Sequence, residues 1–250
     1  SITPLSPATF TKRLIGQKIK SVERRAKMLI VDLVGPDSLV FHLKMTGQVI
    51  FLPKKGKAIM GGHPEDPQKY TRIIFTFTDS DKLLFNDLRK FGWARLVDDK
   101  QIKTMTDKVG VEPLSKDFTV KVLSEFFQRY PNRTVKQILM DQALIAGIGN
   151  IYADESCFLA KILPTRKANK VKLTKITLLH KSIISVLKLS ISKKGTSSKN
   201  YVRSDGSRGG FVPHLNVYGR AGLSCKVCDT PIQKIRHMQR GTHFCPHCQK

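Results

Sequence analysis

Apolar positions along this 250-residue chain change their period more than once, and each change marks a different kind of element. Ser6-Pro7 followed by Ala8 to Gly16 places a capping hydroxyl, a first-turn proline and a terminal glycine around Phe10 and Leu14, which predicts a short helix. From Lys27 onward the runs MLIVDLV, SLVFHLKM, QVIFL, RIIFTFT, KLLFNDL and WARLV are short, apolar or alternating, and separated by Gly-Pro-Asp, Thr-Gly and Asp-Ser-Asp turn signals. Six closely spaced strands predict an antiparallel sandwich or barrel. The run from Phe51 to Tyr70, rich in lysine, glycine and proline, reads as a long exposed loop.

After Glu112-Pro113-Leu114 the period becomes helical. Ser115 is placed to cap a helix running through Tyr130 with Phe118, Val122 and Phe126 on one face, and Thr134 to Ala146 predicts a second. A third is expected from Asn150 to about Lys161. A fourth, from about Leu173 to Ser192, has Leu178, Leu179, Ile183, Ile184, Leu187 and Leu189 as its apolar set. Residues 195 to 212 are polar and glycine-rich and read as a flexible loop. The expected class is α+β and multidomain: an antiparallel β-sandwich over 1–111, a helical domain over 112–212, and a small cysteine-bearing unit over 213–250.

Charge narrows the partners. Lys and Arg number 44 against 19 Asp and Glu, a formal +25, and 40% of residues are apolar, enough for packed cores. The excess is uneven: residues 151–250 hold 19 basic and 4 acidic side chains, residues 1–150 hold 25 and 15. Such a surplus attracts polyanions, nucleic acid or an anionic membrane surface, and the C-terminal part is where they should be gripped. The most apolar late stretch, Leu178 to Ile191, is broken by Lys181 and Lys188, so no transmembrane helix is expected, and the opening residues do not read as a secretory signal.

Four of the five cysteines form the pattern Cys225-x-x-Cys228 and Cys245-x-x-Cys248, with 16 residues between the pairs. That is the spacing of a four-cysteine zinc ribbon, in which two knuckles offer four thiolates to one tetrahedral, structural zinc ion. Lys234, Arg236, His237 and Arg240 lie between the knuckles, a basic hairpin suited to a phosphate backbone. Upstream, MDQALIAGIGNIYADE (140–155) reads as helix, glycine turn and helix: Gly147 suits a positive φ, Gly149 a close approach, and Asn150 a cap whose amide and neighbouring N–H groups point at an anion. On the residues alone, this segment is equally a structural turn. Met45 and Phe91, likewise, read as core residues.

The wording of these segments resembles the formamidopyrimidine-DNA glycosylase and endonuclease VIII family of oxidised-base repair enzymes. The resemblance rests on MDQALIAGIGNIYADE, on SVERRAKMLIVDL before HLKMTG, on DLRKFG, on SDGSRGGF with NVYGRAG, and on HMQRGTHFCPHCQK, all in family order. It implies a helix-two-turns-helix domain and a DNA glycosylase with AP lyase activity, of the formamidopyrimidine branch. The partner it implies is double-stranded DNA carrying oxidised purines, such as oxoguanine and formamidopyrimidines, or abasic sites. It also implies that Lys27 acts near the reacting sugar, and that Met45, Arg89 and Phe91 enter the duplex when the damaged nucleotide is flipped out. Arg133, Lys136, Asn150 and Arg240 match phosphate-binding positions, Arg240 also matches the residue of δ-elimination, and 195–212 matches the segment that closes over the lesion. A monomer in a bacterial cytoplasm, at the nucleoid and away from membranes, is the expected setting.

Two departures qualify the resemblance. Tyr70 stands where family members usually have histidine, so a DNA contact there is expected to differ. The family's opening Pro-Glu, whose proline amine attacks the sugar carbon, has no match in Ser1-Ile2-Thr3-Pro4, so these 250 residues are expected to bind DNA and to excise poorly, as a truncated chain would. Two rival classes remain open: a damaged-DNA-binding homologue without the chemistry, and a zinc-ribbon RNA- or ribosome-associated protein, which leaves Met45, Arg89 and Phe91 without a role.

Overall fold

The computed structural model describes residue 2 and residues 4–55, 69–197 and 207–250, arranged in two compact units. Residues 56–68 of the expected loop 51–70, and 198–206 of the expected loop 195–212, lie outside the described residues.

The first unit comprises Ser1–Asp107 with Lys194–Gly210. Helix α1 (Pro7–Leu14) starts where expected, the Ser6 hydroxyl accepting from Thr9 N at 3.2 Å, and buries Phe10. Seven strands follow: β1 (Ile19–Arg25), β2 (Met28–Leu33), β3 (Asp37–His42), β4 (Gly47–Leu52), β5 (Thr71–Thr76), β6 (Lys82–Asp87) and β7 (Trp93–Asp98). They form antiparallel sheets of order β1-β2-β3-β7 and β4-β6-β5. Phe41 of one sheet meets Phe75 and Phe85 of the other with ring centroids 5.8 Å apart, and Val31, Leu39 and Leu96 complete the core. Strand β1 escapes the hydrophobic pattern because IKSVERR is an edge strand whose residues are exposed or half-buried. Helix α2 (Asp99–Asp107) also escapes it, since none of its residues is buried.

The second unit comprises Lys108–Lys193 with Phe211–Lys250. Its helices are α3 (Val120–Arg129), α4 (Val135–Met140), α5 (Asn150–Leu159) and α6 (Leu173–Ser192), followed by a hairpin of β8 (Gln233–His237) and β9 (Arg240–Phe244). Three expectations need correction. Thr119, not Ser115, caps α3, its hydroxyl accepting from Val122 N at 3.2 Å, and the buried face is Leu123 and Phe127 rather than Val122 and Phe126. Thr134 caps α4 in a reciprocal box with Gln137, but the helix stops at Met140; Asp141 turns the chain, accepting from Ala143 N at 3.0 Å. Gly149, not Asn150, is the N-cap of α5.

Helix α6 has the bounds expected of it, but Ile176, Leu179, Ile183 and Val186 form its buried side, while Leu178 and Leu189 stay exposed. Helix α5 is the centre of this unit. Ala153 and Cys157 pack into a core with Leu123, Ile138, Leu139 and Leu179, and Phe158 packs on the cysteine-bearing segment with Val217 and Ile232. Phe211, at the end of the stretch read as a flexible loop, is 2% exposed and packs with Val186 and Leu215.

Candidate nucleic-acid interface and metal centre

In the sandwich unit, two turns bring Met45 and Arg89–Phe91 together. Asp87, 1% exposed at the end of β6, accepts from Arg89 N at 3.2 Å, from Gly92 N at 2.6 Å and from the Thr46 hydroxyl, so one carboxylate pins both the 43–47 and the 87–92 turns. Gly92 is required there: a Cβ would meet the Phe85 ring at 2.9 Å, and at Gly47 one would meet the Leu43 carbonyl oxygen at 2.5 Å. The pinned turns hold Met45 and Phe91 out to solvent at 66% and 54% exposure. The core reading of these two residues is therefore wrong. The Arg89 guanidinium lies over the Phe91 ring at 4.7 Å and donates to Met45 Sδ at 3.2 Å, joining the three into one projecting cluster.

Lys27 is exposed in the tight β1–β2 turn beside Ala26, whose φ is +54°. Across β3 from Met28 stands His42, which no sequence signal singled out. Its Nδ1 accepts from Lys44 N at 3.0 Å, its ring lies tilted against Trp93 with centroids 5.6 Å apart, and Arg95 covers the Trp93 ring at 4.5 Å. Burial, aided by the charges of Lys44 and Lys27, lowers its pKa to about 4. His42 is thus a neutral imidazole whose proton sits on Nε2. Tyr70 is half-buried next to this region, its carbonyl accepting from Asp87 N at 2.9 Å.

In the helical unit, the β8–β9 hairpin docks on α4 and α5 through polar groups. Met238 and Gln239 both have positive φ, 52° and 56°, which makes the tip a tight turn of the kind that matches strand twist, although neither residue favours that conformation. His237 Nε2 and the Thr134 hydroxyl are 2.9 Å apart. Lys136 is fully buried; its Nζ donates to Asp154 Oδ1 at 2.5 Å, to the Thr242 hydroxyl at 2.8 Å and to the Gly241 carbonyl at 3.3 Å. Desolvation lowers the Lys136 pKa against the pull of Asp154. The other Asp154 oxygen accepts from His243 N at 2.9 Å, and Asn150 Nδ2 donates to the Gly241 carbonyl at 2.9 Å. Lys136 and Asn150, matched by resemblance to phosphate contacts, here hold the backbone beside Arg240.

Arg240 and Arg133 line a cleft of about 370 Å³ with Gln137, Met140, Asp141 and Met238. Arg133 pairs with Asp141 at 2.8 Å and lies over the Tyr130 ring at 4.2 Å, which fixes its guanidinium at the cleft. Arg240 is exposed. Glu155, buried, accepts from Asn216 N, Val217 N and Tyr218 N, each at 2.9 Å, and so anchors the chain leading to the cysteines.

The four sulfurs of Cys225, Cys228, Cys245 and Cys248 lie within 4.8 Å of one another and form no disulfide. Separations of 3.9 Å for Cys225–Cys248, 3.5 Å for Cys228–Cys245 and 3.3 Å for Cys228–Cys248 compare with about 3.8 Å for sulfurs at tetrahedral corners around zinc. The donor set and spacing fit a closed, four-thiolate metal site.

Three family models match the chain: the formamidopyrimidine-DNA glycosylase N-terminal domain over residues 1–94, its H2TH domain over 109–202, and a zinc finger found in FPG and IleRS over 222–250. The formamidopyrimidine-DNA glycosylase of Herpetosiphon aurantiacus is 39% identical over 98% of this chain and 86% of its own length, and that of Pediococcus pentosaceus is 40% identical over 96% and 84%. Among solved structures, the Lactococcus lactis Fpg bound to DNA with an abasic site superposes with a TM-score of 0.85 at 35% identity, covering 97% of this chain and 86% of that one. MutM in complex with DNA containing carbocyclic 8-oxo-G superposes with a TM-score of 0.84 at 36% identity over the same shares.

Asp154→Asn removes the partner of a buried lysine, and is expected to lower unfolding stability by about 3–5 kcal/mol in urea titrations. For His42, NMR titration of the ring should place its midpoint near 4. Its folded pKa lies below the unfolded value, so its contribution destabilises the fold as pH drops from 6.5 towards 4, and His42→Gln should flatten stability in that window.

Proposed function

The chain belongs to the formamidopyrimidine-DNA glycosylase family of DNA-repair enzymes, and from that membership we propose that it removes oxidised purines, oxoguanine and formamidopyrimidines, from duplex DNA and cleaves the resulting abasic site by elimination. The observation that carries this reading is the projecting cluster of Met45, Arg89 and Phe91. Large apolar side chains held in water by pinned turns gain free energy on entering a base stack. Met45 fills the space an extruded nucleotide leaves, Phe91 stacks on a neighbouring base, and Arg89 donates hydrogen bonds to the orphaned partner.

Lys27 transfers protons beside the sugar, and the Nε2–H of neutral His42 donates to a flanking phosphate. Tyr70 makes the neighbouring DNA contact in place of the family's usual histidine. In the helical unit Arg133, Asn150 and Arg240 engage the phosphates, Arg240 also assisting δ-elimination; Lys136 acts on them through Gly241 and Thr242. The amine that attacks the sugar carbon is not assigned to any of these residues. Cys225, Cys228, Cys245 and Cys248 hold one structural zinc ion, which supplies folding energy to the hairpin and, with no open coordination position, no chemistry. The working unit is a single chain, and its place in the cell is at the nucleoid.

Fluorescence titrations with duplexes that carry oxoguanine or an abasic site, against undamaged duplex, test the recognition. The expected preference is about tenfold or more, and Arg89→Ala with Phe91→Ala removes it while leaving undamaged-DNA affinity in place. Equal affinity of the parent chain for both duplexes would overturn the reading. Arg240→Ala should lower the slope of log K against log salt by about 0.9, the signature of one lost phosphate contact. Stripping the metal with a chelator should unfold the hairpin and abolish lesion binding while the sandwich keeps its circular dichroism.

A further inference from the structure

The outer face of α6 takes no part in the interface described above, and its composition is unusual. Between Glu155 and Asp205 the sequence holds twelve Lys and Arg and no Asp or Glu. Within that stretch α6 buries Ile176, Leu179, Ile183 and Val186 and turns Thr174, Lys181, Ser185 and Lys188 to solvent. These four positions recur at helical spacing and form one band along the axis. Neither Lys181 nor Lys188 makes an ion pair among the described residues.

Helix α5 shows which way this band faces. Its residues Asn150, Asp154 and Phe158, one turn apart, meet the hairpin and the cysteine segment. Tyr152, about 160° round the helix from Asp154, reaches α6 instead, its hydroxyl 2.7 Å from Ser190 Oγ. The band on α6 therefore looks away from Arg240 and the phosphate-gripping cleft.

We propose that the outer face of α6, centred on Lys181 and Lys188, binds the phosphate backbone of a second DNA duplex while the hairpin face holds the first. Seven residues separate the two lysines, about 10.5 Å along the axis, which matches roughly three base steps of one strand. The hydroxyls of Ser185, between the two lysines, and of Thr174, two turns before Lys181, lie on the same band, donors of the kind that contact phosphate without reading sequence. A membrane surface suits the band less well: the main apolar face of α6 is buried against α5 and α3, and the exposed Leu173, Leu178, Leu189 and Ile191 are scattered single positions rather than the continuous apolar face a bilayer needs. A protein that holds two duplexes passes between DNA segments without first dissociating.

The test mixes donor-labelled and acceptor-labelled undamaged duplexes with the full chain at low salt. Energy transfer between the duplexes is expected, and sedimentation should give the mass of one chain with two duplexes. In K181E/K188E the energy transfer disappears, and the off-rate from labelled DNA no longer rises with competitor concentration, while affinity for one lesion duplex stays within about twofold. A parent chain that saturates with one duplex overturns the proposal, as does a double variant that bridges as well as the parent. So does lysine-dependent binding to phosphatidylglycerol vesicles or to an acidic protein without bridging of duplexes. Lesion preference, measured on one duplex, reports separately on the proposed repair function.

Discussion

An ionised carboxylate taken out of water costs several kcal/mol unless its lone pairs are met by donors, and in this protein the donors come from turns that need to be held. Asp87 takes its hydrogen bonds from the Thr46 hydroxyl and from the backbone of residues 89 and 92. Asp154 takes its from Lys136 and His243, and Glu155 from three consecutive backbone N–H groups at 216–218. Each carboxylate thereby converts a local sequence accident into a fixed geometry, because moving any of these turns strands a buried charge. The residues proposed to meet DNA are carried by the turns and hairpin so fixed: Met45, Arg89 and Phe91 by the first, Arg240 by the second.

The two units solve opposite surface problems. The sandwich presents apolar side chains to water, a cost tolerable only because the turns beneath them are too constrained to let them fold inward. The helical unit withdraws a lysine from water: Lys136, fully buried, becomes a bolt between α4, α5 and the hairpin. Burying that cation contributes little net stability, since desolvation offsets most of the attraction, but it fixes one docking of the hairpin and so one position for Arg240. The strained pair Met238 and Gln239 at the hairpin tip serves the same end, a backbone held in a costly conformation so that His237 and Arg240 face the helices and the cleft.

Much of this was legible in the residues. The alternating runs named six of the seven strands of the sandwich, the paired cysteines marked a cluster of four sulfurs, and α6 kept its expected ends. The misses share a cause. Strand β1 and helix α2 bury almost nothing, so no hydrophobic period marks them. The face of α3 was read one position off, whereas on α6 Leu179 and Ile183 were read correctly and Leu178 and Leu189 were not, because Phe126, Leu178 and Leu189 are apolar yet partly or largely exposed, and apolar type alone does not say which side is covered. Met45 and Phe91 went the same way on residue type alone. His42, Asp87 and Asp154 lie within the motifs HLKMTG, DLRKFG and MDQALIAGIGNIYADE, but nothing in those motifs says what they hold; that comes from partners far along the chain, such as Thr46 for Asp87 and Thr242 for the Lys136–Asp154 pair.

The same distinction separates affinity from selectivity. The large positive charge is spread over flexible lysines, and a charge of that kind attracts any polyanion and weakens with salt. Other polar and apolar groups are held rather than drifting: an imidazole kept neutral by burial, a guanidinium locked against an aromatic ring, a ring projecting from a pinned turn. Those groups are few, and each rests on a buried carboxylate, an aromatic stack or an ion pair rather than on the hydrophobic core. Asp87, Asp141 and Asp154 hold those groups in place, and at Asp154, paired with the buried Lys136, the same contact also bears on whether the helical unit folds.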